Sequence, residues 1–111
     1  MDERRTYPRE DLVRAMICVI DGGHTLTHCL VKNVSLDGAL LECPLAGIHE
    51  LYDVGDRIEL RDILQEGPVL FKKASGQVAW VYTRTLGVHF DTPVMASAGE
   101  LRQWLEDQNL V

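Results

Sequence analysis

The sequence has no apolar run long enough to cross a bilayer. Its longest wholly apolar stretch, Ala15 to Ile20, is six residues, against the roughly 20 that a spanning helix needs. The polar start, Met1-Asp2-Glu3-Arg4-Arg5, leads into no signal-peptide apolar region, so a cytoplasmic location without membrane insertion is expected. Positive charge is also in short supply. The net charge of −6 argues against a general polyanion binder, whose affinity rests on a positive field. A single-strand binder would need aromatics and bases clustered on one face, and that pattern is absent, so no DNA or RNA partner is expected. The three cysteines, Cys18, Cys29 and Cys43, show no C-x-x-C spacing. Each falls in or beside an expected strand and reads as a small buried apolar side chain. Internal repeats, low-complexity segments and interdomain linkers are missing too.

What is present fits one soluble globular domain over residues 1–111, with about half its residues apolar and a quarter charged. The pattern is strand-dominated. Leu12 to Ile20 reads as a strand, with both faces largely apolar. A second, from about His24 to Ser35, follows the turn signal Asp21-Gly22-Gly23. Ala39 to Cys43 returns as a hairpin through Asp37-Gly38. Arg57 to Leu64 alternates, with Ile58 and Leu60 inward. Val69 to Tyr82 reads as one long strand bent near Ser75-Gly76, and Leu86, Val88 and Phe90 mark the last. The period then changes: Ser97-Ala98-Gly99-Glu100 has capping-box spacing, and Leu101, Trp104 and Leu105 share a helical face. The expected fold is mainly β: a six-stranded antiparallel barrel over 12–92 and a helix over 97–108, after a flexible arginine segment at 1–11. The mixed loop from Pro44 to Asp56 could pack down through Leu45, Ile48, Leu51 and Tyr52.

Two features carry chemistry. Arg5 and Arg9, with Arg4 beside them, stand in a Pro-containing segment that Pro8 keeps from being helical. Each guanidinium is a planar fork that can grip a phosphate, match O6 and N7 of guanine, or stack on a purine. Residues 1–14 hold as many carboxylates as arginines, so an anion would be caught by particular arginines and not by bulk charge. In Asn33-Val34-Ser35-Leu36-Asp37-Gly38, Asn33 and Ser35 are two apart on a strand and leave the same face. Gly38 would permit positive φ and a close approach to the backbone. Taken as chemistry alone, these remain compatible with a solvated tail and an ordinary hairpin turn.

Other constellations are set aside. His24 and His28 share a strand face but lie about 13 Å apart at strand rise, too far to chelate one ion, so no metal is expected. Ser75, His89 and Asp91 can be assembled into a triad on paper, but no nucleophile elbow is present, and no enzyme activity is expected. Trp80 is assigned to the core in preference to flanking a ligand, and Trp104 to docking the helix.

Together, Arg5-Thr6-Tyr7-Pro8-Arg9, Asn33-x-Ser35-x-x-Gly38 and the run Gly87-Val88-His89-Phe90 resemble the PilZ family, over most of the chain. The resemblance implies a receptor for the bacterial second messenger cyclic di-GMP, with no other cofactor. The arginines would bind guanine edges and phosphates, and Asn33, Ser35 and Gly38 would complete the pocket on the barrel surface. An Arg at the place of Arg4 implies an intercalated nucleotide dimer. Signalling would pass to a protein partner as the arginine segment orders, from a monomer or weak dimer. The alternative is a nucleotide-independent adaptor of the same fold.

Overall fold

The computed structural model describes residues 8–23, 25–43, 47–61, 73–92 and 97–111, and of Ala15 and His49 only the backbone. Alternation of apolar and polar residues produces six strands: β1 (Glu10–Asp21), β2 (Leu26–Ser35), β3 (Gly38–Glu42), β4 (Arg57–Arg61), β5 (Lys73–Val81) and β6 (Thr85–Phe90). They close into an antiparallel barrel in the order β1-β2-β3-β6-β5-β4. In β4 the reading is direct: Ile58 and Leu60 are buried while Arg57 and Arg61 face water. In β6, Leu86, Val88 and Phe90 enter the core and His89 is exposed. The inward residues of all six strands, among them Cys18, Ile20, Val31, Leu41, Leu60 and Phe90, form one core cluster. Cys18, Cys29 and Cys43 are free and buried, and Cys18 lies opposite Cys29 across β1 and β2.

Several boundaries differ from the sequence reading. The first strand begins at Glu10, two residues before Leu12, and of its two largely apolar faces the one carrying Cys18 and Ile20 is buried. Val13 and Ile17 stay 75% and 55% exposed, on the face that alternates with the buried Cys18 and Ile20, and β1 makes a register shift against β2 between Asp11 and Met16. The hairpin loop is Leu36–Asp37, not Asp37–Gly38; Gly38 already pairs with Ser35. The long strand keeps its β4 pairing through Ser75 and Gly76. Its irregularity falls later, between Val78 and Trp80. Residues 62–72, including the proposed ends of the fourth and fifth strands, lie outside the described residues, as does His24.

The helix α1 (Ala98–Asp107) starts on a complete capping box: the Ser97 hydroxyl accepts from the Glu100 N–H, and the Glu100 carboxylate accepts from the Ser97 N–H. Two orphan donors of the first turn are thereby satisfied. Leu101 and Leu105 are buried on the barrel, with Leu110 beyond the helix, and Trp104 packs against the same cluster. Polar contacts fix the helix to the start of β1. Arg102 donates to Glu10 at 2.7 Å, and the Val13 N–H donates to the Leu110 carbonyl at 2.7 Å. Opposite these, the segment Gly47–Asp56 folds onto the barrel through Ile48 and Tyr52. The Tyr52 hydroxyl lies within hydrogen-bond distance of Thr25 and Thr27. Leu51 is exposed, so it does not share that packing, and Leu45 lies outside the described residues.

Candidate functional site

The outer face where β2, β3, β6 and β5 run side by side carries the candidate site. Its geometry follows from two irregularities. Between Val31 and Asn33, β2 shifts register against β3, so Val31 and Val34 both reach the core, although three apart. Asn33 and Ser35 alternate with Val34 and sit opposite Leu40 and Gly38. They leave the outer face together, as their spacing predicts, yet they are covered, at 8% and 2% exposed. The second irregularity lies in β5. The extra residue at Ala79 turns Trp80 away from the inward series of Val78 and places it opposite Gly87. Trp80 is half-buried and is not a core residue; the assignment to the core is corrected by this bulge.

Trp80 lies flat over Gly87. A Cβ at that glycine would come within 2.3 Å of the indole Nε1, so only glycine leaves room for the ring. Beside it, Gly38 has a different role from the one its motif position suggests. It lacks a positive φ, and a Cβ would meet the Val88 carbonyl oxygen at 2.4 Å. Gly38 is required by the close pairing of β3 with β6. Beside these two glycines lies a shallow trough on the strand backbone, a cavity of about 140 Å³ walled by Arg9, Ser35, Asp37, Trp80 and His89.

The polar groups of the trough are arranged locally. The Ser35 hydroxyl donates to Asp37 Oδ1 at 2.6 Å, and the Asp37 N–H donates back to the Ser35 oxygen at 3.3 Å. That Asx-type bracket holds the two-residue turn, and the Phe90 N–H donates to the Asp37 carbonyl, tying the turn to β6. His89 Nε2 stands 3.9 Å from Asp37 Oδ2. Among the described residues, Arg9 is exposed and has no carboxylate partner, whereas its neighbour Glu10 is taken by Arg102. The Asn33 Oδ1 atom is buried and lacks a hydrogen-bond partner among the described residues. An unsatisfied buried acceptor costs about 1–3 kcal/mol, and a donor brought to it recovers that.

Of the residues singled out from the sequence, Arg9, Ser35 and Gly38 meet at the trough. Asn33 is buried beside it but does not line it. Arg4 and Arg5 lie outside the described residues. Sequence reasoning missed three members: Asp37 and His89, and Trp80 as a wall. The available signal was the pairing of a bulky aromatic with a lone glycine inside a strand, Gly87. The paper triad of Ser75, His89 and Asp91 does not form as a catalytic unit. The Asp91 carboxylate is bound by Arg57, which holds it below the usual carboxylate range. Among the described residues no group of three His, Cys, Asp or Glu side chains could hold a metal ion, and no helix is long and apolar enough to cross a membrane.

Comparison with known proteins agrees with the barrel fold. No curated protein sequence matches the chain. Among solved structures, the PilZ domain of YcgR from Escherichia coli, determined with c-di-GMP, superposes with a TM-score of 0.65 at 16% identity, over 98% of this chain and 100% of that one. The Bacillus subtilis inhibitor of motility MotI superposes with a TM-score of 0.58 at 17% identity, over 96% of this chain, which spans about half of MotI (50%). At such identities the likeness is one of fold. The PilZ domain family model matches residues 3–107, nearly the whole chain, and the chain belongs to the PilZ domain family.

Proposed function

We propose that this chain is a receptor for cyclic di-GMP, which it binds between the N-terminal arginine segment and the trough on the outer face of the barrel. The observation that carries the reading is convergence. Arg9, which has no carboxylate partner among the described residues, the Ser35–Asp37 bracket and a buried acceptor on Asn33 lie on one face of a PilZ barrel. A guanine edge offers N–H donors to such an acceptor, and a phosphate offers oxygens to the guanidinium fork. The ligand of the YcgR domain structure has both groups. The trough alone is smaller than the roughly 300 Å³ or more of small-molecule sites, so a dinucleotide overfills it. The remaining wall would come from residues 1–8, with Arg4 and Arg5 closing over the ligand. Arg4 would supply the charge and stacking surface for a second nucleotide. Ordering of that segment would change the exposed surface and so the affinity for a protein partner, with no chemical step.

Isothermal titration of cyclic di-GMP into the wild type and into Arg5→Ala plus Arg9→Ala tests this. Removing one partner of a charge-assisted pair costs about 2 kcal/mol or more. The double variant should therefore lose at least about 30-fold in affinity. A stoichiometry near two nucleotides per protomer is expected from Arg4. Absence of binding by the folded wild type would refute the receptor reading and leave the adaptor.

A further inference from the structure

We propose that His89 is a further ligand-contacting residue of this trough, and that its protonation is linked to uptake of the anionic nucleotide; this rests on the receptor reading above. The side chain of His89 is 69% exposed and stands opposite Gly38 on β3 and Gln77 on β5. The imidazole lines the same trough as Ser35, Gly38 and Arg9. Its neighbours are mixed in charge. Asp37 faces it from the β2–β3 turn, at a distance that suits an ion pair but not a hydrogen bond. Arg9, from the segment before β1, lines the same trough. At the end of β6, Asp91 feels its charge but is already neutralised by Arg57 of β4. From β5 the neighbours are the neutral Gln77 and Trp80.

In this setting one carboxylate and one guanidinium offset each other around the ring. A phosphodiester seated between Arg9 and His89 adds an unbalanced negative charge. The imidazolium, with both nitrogens as donors, answers it with a charge-assisted hydrogen bond that the neutral ring makes less well. Binding therefore takes up a proton. The sign follows: His89 favours the ligand where its ring is protonated, so its contribution falls as pH rises.

The test is titration of cyclic di-GMP into the wild type and His89→Gln at about pH 6 and about pH 8, in buffers of different ionisation enthalpy. A shift of one pKa unit corresponds to about tenfold in affinity. The wild type should bind about tenfold more weakly at the higher pH, with proton uptake. The glutamine variant should bind at both with little change, near the weaker wild-type value. Wild-type binding that does not depend on pH, or a variant that keeps the full dependence, overturns the role of His89 while leaving the receptor intact. A wild type that binds at neither pH removes both.

Discussion

Replacing Gly38 by alanine separates two explanations of a motif glycine. If glycine is there to admit a ligand, the alanine protein folds normally and loses only binding. The structure assigns it to folding: the new Cβ would lie 2.4 Å from the Val88 carbonyl oxygen, against a floor of 3.0 Å for real Cβ contacts. The gap must open by about 0.6 Å. The obstructing atom is backbone, so no rotamer change relieves it. The shift falls where Gly38 pairs with His89 and where the Phe90 N–H holds the turn. Overpacking of this kind costs about 1–3 kcal/mol, and each kcal/mol is worth roughly 4 °C in Tm for a domain of this size. Urea unfolding followed by tryptophan fluorescence should show a lower midpoint with unchanged m. Gly99→Ala is the control. Its Cβ would meet nothing nearer than 3.8 Å, and in a helix alanine is favoured over glycine by up to about 1 kcal/mol. A Gly38→Ala protein that unfolds at the wild-type midpoint would refute the packing argument.

Two further outcomes follow from the core and the helix. Burial pushes the Cys18 thiol up to about 12, and Cys29 is raised by burial and by its neighbours Cys43 and Cys18. At about pH 8 the folded protein should therefore leave Ellman's reagent unreacted until urea exposes three thiols. Because the folded values are raised, their stabilising effect is complete below the unfolded thiol value and wanes as pH rises above it, so alkaline titration should lower Tm from about pH 9 upward. Ser97→Ala removes the acceptor for the Glu100 N–H and should cost about 0.5–2 kcal/mol by the same urea assay; no loss would mean that α1 is held by packing alone.

The parts of this protein that were legible in its sequence are those where alternation runs unbroken. β4 and β6 could be read residue by residue, since Ile58, Leu60, Leu86, Val88 and Phe90 all point inward. The capping box could be read from four letters. What was hidden is cross-strand register. A bulge is a relation between two strands, and nothing local to Val78-Ala79-Trp80 announces that its partner strand is one residue short. That single residue moves Trp80 from the expected core to the wall of the trough. The same limit concealed how Asn33 and Ser35 become buried while pointing outward. The importance of Gly38 was visible, but its cause was not, because the obstructing carbonyl belongs to Val88, fifty residues away.

Closure of the barrel has a consequence for how such a protein can speak to others. Among the described residues, each strand has a hydrogen-bonded neighbour on either side, so most of the ring offers no vacant edge onto which a visiting strand could be stitched. An exception is the stretch of β1 before Val19, because β1 meets β4 only from Val19 to Asp21. Around the rest of the ring, recognition must then be written in side chains. Val13 and Ile17 stand in water on that stretch of β1, where the Val13 N–H is already bonded to the Leu110 carbonyl.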